Sequence, residues 1–338
     1  MDSQAAEPLE HGGDLSAARR LFPGAPEPFI DLSTGINPYP YPLPHLPPAL
    51  FERLPQADAL ARLIDAAAKA YGAPSPARVV AAPGTQSLLP LVAALKPAGQ
   101  VAILGPTYAE HARTAALAGH RVIEVQELNQ LGDADLAIVV NPNNPDGRLL
   151  ATADLLALAE KLGKRAGILV VDEAFIDVEA PETSLAGGVL RGNIVVLRSF
   201  GKFFGLAGVR LGFAIAAEDI AARLRASLGP WAVSGPAIAI GAIALADTAW
   251  IDATRLRLAQ AAQRLDQLLA AAELEVVGGT ALFRLAQTPA AAATYEMLGR
   301  AGILVRRFAE HPTWLRFGLP GDEETWQRLA NALAGNTR

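Results

Sequence analysis

The sequence predicts an α/β protein: a mostly parallel sheet sandwiched by helices, followed by a smaller α+β domain toward the C-terminus. Three observations carry this. The chain has 338 residues, more than one hydrophobic core usually spans. Between about 55 and 225, short apolar runs at 78–82, 101–104, 121–125, 136–140, 168–171 and 194–197 alternate with Ala/Leu segments of helical period. Continuous apolar strands between helices belong to a parallel sheet covered on both faces. After Gly229-Pro230 and Ser234-Gly235-Pro236 the pattern changes. A long helical stretch runs to about 272, then come four short strands (274–277, 282–285, 303–306, 314–317) and a last helix from Glu323.

The expected division is an N-terminal arm at 1–48, a large domain at 49–228 and a small domain at 229–338. The arm is rich in Pro and Gly, with one short helical pattern at 15–22. Asn37-Pro38-Tyr39-Pro40-Tyr41-Pro42 has to run extended or turned, because proline fixes φ and removes a donor. The segment is too apolar for a floppy tail and reads as an arm lying over another surface.

Composition removes several classes of function. A formal net charge of −5 without a basic stripe argues against nucleic acid. The absence of Cys excludes disulfides, thiolate metal ligands and a Cys nucleophile, and His is never spaced as in a metal site. Apolar runs are broken before bilayer length, and the N-terminal residues do not read as a signal peptide. The expectation is a soluble cytoplasmic protein with neither metal, membrane nor nucleic-acid partner.

In parallel sheets ligands gather beyond the carboxyl ends of the strands. The chain holds five lysines, and Lys202 alone follows an apolar strand, flanked by aromatics and glycines in Phe200-Gly201-Lys202-Phe203-Phe204-Gly205. It is either a lysine snorkelling beside core phenylalanines or a desolvated amine suited to Schiff-base chemistry. Ser199, three positions earlier, and Arg210, eight later, could grip a phosphate; each alone reads equally as a turn serine and a surface arginine. Asp172 ends the run 167–171, where it serves either as a helix cap or as a partner for a ring nitrogen. Asn141-Pro142-Asn143-Asn144-Pro145-Asp146-Gly147 follows another strand as a turn, with an amide available to a ligand. Gly84-Thr85-Gln86 lies between a strand and a helix expected near Ser87, where backbone N–H groups bind anions. Tyr108 is a stacking face or a core ring.

Taken in order, these pieces resemble the class I/II aminotransferase superfamily, enzymes of fold type I that use pyridoxal 5′-phosphate (PLP). The resemblance covers about residue 30 to the C-terminus. It implies that Lys202 carries PLP as a Schiff base, Asp172 pairs with the pyridine nitrogen, Asn144 bonds the 3′-oxygen and Tyr108 stacks on the ring. Ser199, Arg210 and the backbone of Gly84, Thr85 and Gln86 would hold the phosphate. It also makes Asn144-Pro145 a candidate cis bond and implies a homodimer.

Within the superfamily the chain resembles the branch of histidinol-phosphate aminotransferases and threonine-phosphate decarboxylases. His11-Gly12-Gly13-Asp14 and Asp31-Leu32-Ser33-Thr34-Gly35-Ile36-Asn37-Pro38 carry this, with Asp14 and Gly35 departing from the common pattern. The implied activity is PLP-dependent decarboxylation of L-threonine O-3-phosphate to (R)-1-aminopropan-2-yl phosphate for cobalamin synthesis; the alternative is a histidinol-phosphate-type aminotransferase. His11, Gly12, Asn37, Arg306 and Arg316 are the implied contacts to this phosphorylated amino-acid substrate. Phe175 stands where many relatives carry a tyrosine that bonds the 3′-oxygen. Arg53-Leu54-Pro55-Gln56 lacks the tyrosine with which relatives reach the neighbouring subunit's cofactor.

Overall fold

The computed structural model describes residues 12–334. They fall into two compact units, one formed by the chain up to Tyr39, Pro145–Arg148 and Ala253 onward, the other by Pro40–Asn144 and Leu149–Asp252. These units follow other limits than the expected boundaries: residues 229–252 belong with the large unit, and the arm is divided at Tyr39.

The small unit opens with helix α1 (Leu15–Leu21), whose N-terminus is capped by Asp14 accepting from the Ala17 N–H at 2.8 Å. Strand β1 (Ile30–Asp31) follows.

The large unit then builds a seven-stranded sheet. Its strands are β2 (Val79–Ala82), β3 (Gln100–Leu104), β4 (Arg121–Val125), β5 (Leu136–Val140), β6 (Ile168–Asp172), β7 (Ile194–Ser199) and β8 (Gly212–Ala216). Their order is β2-β8-β7-β6-β5-β3-β4. The β3–β4, β3–β5, β5–β6 and β6–β7 pairs are parallel, and β8 runs antiparallel between β2 and β7. Helices α2 (Ala49–Glu52), α3 (Ala57–Ala70), α4 (Leu89–Ala93), α5 (Glu110–Leu117), α6 (Thr152–Gly163), α7 (Phe200–Phe203), α8 (Glu218–Leu228) and α9 (Gly235–Ala246) connect and cover it. Every residue of β5, β6 and β8 is buried, as expected of strands covered on both sides. Leu88, which precedes α4, Leu89 and Val92 of α4, and Ile220 and Leu224 of α8 share one core with alternate strand residues Val80, Ile103, Ile138, Val170, Val195 and Ala214. Each full burial of a Leu, Ile or Val contributes about 1.5–3 kcal/mol. Tyr41, from the proline-rich segment, is buried against Phe204 and Trp250.

The long helical stretch is two helices. α9 ends before Asp247, which caps α10 (Thr248–Ala271) by accepting from the Trp250 N–H, and the chain bends by 78° there. Among the described residues no single helix is long and apolar enough to cross a membrane. α9 is instead a core helix; Gly241 packs so closely on Leu211 and Leu63 that a Cβ would lie 2.5 and 2.9 Å from their methyl groups.

The small unit resumes with β9 (Glu275–Thr280), β10 (Phe283–Gln287), α11 (Ala291–Arg300), β11 (Ile303–Leu304), β12 (Arg306–Arg307), β13 (Trp314–Gly318) and α12 (Glu323–Ala334). β12-β13-β10-β9 form an antiparallel sheet, while β1 pairs in parallel with β11. The Pro145–Arg148 turn is seated on β9: the Gly279 N–H donates to the Asp146 carbonyl at 2.8 Å, and a Cβ on Gly278 would meet that oxygen at 2.1 Å.

Candidate active site

The carboxyl ends of β2, β3, β5, β6 and β7 carry the large-unit residues singled out from sequence. Asp172 closes β6 and is buried. Its Oδ2 lies 2.9 Å from His111 Nε2 of α5, and its Oδ1 accepts from the Ala174 N–H at 3.1 Å. His111 was not among the expected site residues, yet it supports the carboxylate from behind. The only trace of it in the sequence is its position three residues after Tyr108, one turn along a helix.

β7 ends at Ser199, and the four-residue helix α7 sets Lys202 one turn beyond. Lys202 is half-buried, with Nζ 5.7 Å from the centre of the buried Phe175 ring. Arg210 precedes β8 in the left-handed region, φ 54°, and Nη1 donates to the Ala207 carbonyl. Its guanidinium lies against Gly84: a Cβ there would fall 2.8 Å from Nη2. Gly212 presses on the same turn, where a Cβ would approach the Thr85 nitrogen to 2.5 Å. Glycine is therefore required on both sides for Arg210 to reach the Gly84-Thr85 backbone. Thr85–Ser87 forms a short 3₁₀ turn, and α4 starts two residues later than the helix expected near Ser87.

The asparagine-rich turn separates its three amides. Asn141 is buried and exchanges hydrogen bonds with the Leu150 backbone. Asn143, also buried, donates to the Pro106 carbonyl at 2.9 Å and accepts from Thr107 Oγ1 at 2.6 Å. Asn144 is half-buried. The expected cis bond at Asn144-Pro145 is not found; the cis bonds among the described residues are Glu27-Pro28, Gly105-Pro106 and Asn141-Pro142. Cis geometry belongs to an X-Pro bond of this turn, but to its first rather than its second.

Tyr108, half-buried after β3, donates to Gln86 Oε1 at 3.2 Å and meets the His111 ring edge-on at 5.9 Å. Burial, with Glu110 and Asp172 nearby, pushes its phenol up to about 12.

Behind these strand ends lies an ion cluster that the sequence did not announce. Arg198 is buried, pairs with Glu173 at 3.2 Å and with Asp177, and stacks 4.2 Å over the Tyr71 ring. Glu173 also accepts from Ser184 Oγ and the Leu185 N–H, both at 2.6 Å. Burial pushes the Glu173 carboxyl up while Arg198 opposes the shift. Glu173 and Arg198 are the immediate neighbours of Asp172 and Ser199, so the cluster ties the two strand ends together.

In the small unit, Arg306 and Arg316 sit directly opposite each other across β12 and β13. Arg316 is 7% exposed and donates from Nη2 to the Ser33 carbonyl at 2.7 Å. Burial first, then the Arg306 charge, bring its guanidinium down to about 10, with Asp31 opposing. Gly12 belongs to this group, because a Cβ there would lie 2.5 Å from the Ser33 carbonyl. Asn37 is buried, and its Oδ1 accepts from the Tyr39 N–H at 2.8 Å. His11 lies outside the described residues.

The large-unit set suits a phosphorylated pyridine: a steric cradle at Gly84 beside a guanidinium, a ring for stacking, an amine, and a buried carboxylate braced by imidazole. Among the described residues no cluster of three or more His, Asp or Glu could hold a metal.

Comparison with known proteins agrees with this chemistry. Threonine-phosphate decarboxylases of Sinorhizobium sp and Pseudomonas aeruginosa are 47% and 44% identical to this chain, each over 97% of it and 98% of their own length. A histidinol-phosphate aminotransferase from Sinorhizobium meliloti, solved in complex with pyridoxal 5′-phosphate, superposes with a TM-score of 0.80 at 21% identity, covering 99% of this chain and 97% of that one. Residues 49–333 match aminotransferase class I and II, and the chain belongs to that family.

Proposed function

We propose that this protein is a PLP-dependent carboxy-lyase that converts L-threonine O-3-phosphate to (R)-1-aminopropan-2-yl phosphate, a building block of cobalamin. The observation that carries the reading is the facing pair Arg306–Arg316. Like charges directly across a strand pair are destabilising, and a doubly charged phosphate offsets that cost. The names borne by the near full-length relatives favour decarboxylation over transamination.

In this reading Lys202 holds the cofactor, and Ser199, Arg210 and the Gly84-Thr85-Gln86 backbone hold its phosphate. Tyr108 stacks on the ring, Asn144 bonds the 3′-oxygen, and Asp172, steadied by His111, keeps the ring nitrogen protonated. PLP, when bound, supplies the sink for the electrons of the bond that breaks at Cα. Arg306, Arg316 and the Gly12 loop fix the substrate's anionic groups, spending remote binding energy on aiming its carboxylate. With its bond to the cofactor exchanged for the substrate's amine, Lys202 as its ammonium would deliver to Cα the proton that replaces CO₂.

The enzyme is further proposed to act as a homodimer. Leu60 and Trp231 are exposed along a groove of about 510 Å³ lined also by Pro55, Ile64 and Val233, an apolar patch of the kind a second copy covers.

The deciding assay supplies L-threonine O-3-phosphate to PLP-saturated protein without any keto acid and measures CO₂. Release is expected. Silence, together with turnover of histidinol phosphate and 2-oxoglutarate, would move the assignment to the aminotransferase. Borohydride reduction followed by peptide mapping is expected to place the cofactor adduct on Lys202.

A further inference from the structure

Glu110 is 2% exposed in the first turn of α5 and has no part in the chemistry above. Its Oε2 accepts from Gln86 Nε2 at 3.0 Å and from Arg113 Nη1 at 3.3 Å. Gln86 Oε1 in turn accepts from the Tyr108 hydroxyl at 3.2 Å.

The chemistry of the three groups gives this chain a direction. A carboxylate accepts and cannot donate, so the Gln86 amide has to turn its NH₂ toward Glu110. Its carbonyl then faces Tyr108, which has to donate. With its phenol pushed up to about 12, Tyr108 keeps that proton at any working pH. Gln86 belongs to the turn assigned to the cofactor phosphate, and Tyr108 is the ring assigned to stacking. The next residue of α5, His111, braces Asp172.

We propose that Glu110 is a positioning residue: through Gln86 it locks the phosphate turn to the stacking ring and sets the tilt at which the cofactor is held. This rests on the assignment of PLP to the large-unit cup. One turn of α5 then serves both ends of the cofactor, Glu110 the phosphate and stacking side, His111 the ring nitrogen.

The test compares holoenzyme of the parent with Glu110→Ala, Glu110→Gln, Gln86→Met and the double variant Glu110→Ala/Gln86→Met. PLP affinity is read by titration, and the tilt by the visible circular dichroism of the bound cofactor. Glu110→Ala and Gln86→Met are each expected to weaken PLP binding about tenfold and to reduce the visible dichroism. The double variant is expected to be no worse than either, because the two act as one relay. Glu110→Gln, whose carbonyl can accept the same hydrogen bond, is expected to recover most of both signals.

Parental affinity and dichroism in Glu110→Ala would overturn the proposal, as would additive losses in the double variant. Should Glu110→Ala fail to fold, Tyr108→Phe decides, because it keeps the ring and removes the donor: unchanged dichroism in that variant also overturns the relay. A parent that binds PLP on Lys202 while these variants behave like it sinks the relay alone. A parent that never binds PLP sinks the cup assignment and the relay with it.

Discussion

The large unit and the small unit treat buried arginine in opposite ways. Arg198, at the sheet end, has Glu173 and Asp177 as partners and a tyrosine face beneath it. Arg316, in the small unit, faces a second arginine and donates to the Ser33 carbonyl. Desolvating a charge is costly in either place. Around Arg198 the protein supplies opposite charge, and the result is a fixed joint between the strands that carry Asp172 and Ser199. Around Arg316 burial first, and then the Arg306 charge across the strand pair, outweigh the nearby Asp31, and the guanidinium's grip on its proton weakens to about 10. The first arrangement serves the fold, whereas the second leaves Arg316 less firmly protonated than it is in the unfolded chain.

The largest effect expected from this contrast is on stability. Arg198→Met removes the cation and leaves two carboxylates buried, which costs on the order of 3–5 kcal/mol; denaturant unfolding of the apoprotein reads it directly. If the loss stays under about 1 kcal/mol, the range of an exposed pair, the cluster does not join β6 to β7.

Arg316→Met should act with the opposite sign. An arginine whose folded value is lowered binds its proton less tightly in the folded state than in the unfolded chain. Its charge therefore costs stability at neutral pH, and that cost fades only as pH climbs from about 10 toward 12.5. The variant is expected to gain on the order of 1–3 kcal/mol of apoprotein stability at pH 7, observed as a higher melting temperature. The same variant should lose about 10²–10³-fold in kcat/KM for the phosphorylated substrate, the usual loss when one partner of a buried charge pair is truncated. A drop in both stability and activity would show that Arg316 holds the small unit together rather than waiting for a ligand.

The sequence revealed some of this and hid the rest for physical reasons. Strands at 121–125 and 136–140 were legible to the residue because their β-branched runs have no helical alternative of that length. β8, Gly-Phe-Ala-Ile-Ala, escaped notice because Ala and Gly favour no strand, and its neighbours Arg210 and Gly212 read as a motif. The break between α9 and α10 carries neither Gly nor Pro; Asp247 followed by Thr248 is the single cap signal. Lys202, Asp172 and Asn144 could be singled out because strand ends gather ligands in any parallel sheet. His111, Glu110 and Arg198 could not, since what each supports comes from another segment and shows no period along the chain. Residues proposed to touch the cofactor stand at topologically marked places, whereas those that brace them are defined by the packing.

The smallest effect separates two ways of tuning the cofactor at the sheet end. Phe175 is buried 5.7 Å from the Lys202 ammonium and has no hydroxyl to offer the 3′-oxygen, where many relatives carry tyrosine. With the cofactor held on Lys202 as proposed, a donor at that oxygen would stabilise its anionic form and so favour deprotonation. Phe175→Tyr is therefore expected to lower the pH midpoint of the cofactor's visible absorbance band by about one unit. Burial of the added hydroxyl limits the gain, because it has to find its acceptor in a site shaped for phenyl. The midpoint of the parent should correspondingly lie above that of tyrosine-bearing relatives measured in the same buffer. An unchanged midpoint in Phe175→Tyr would mean that Asn144 alone sets the charge on that oxygen, which would place the whole of its tuning in the Asn143-Asn144 turn.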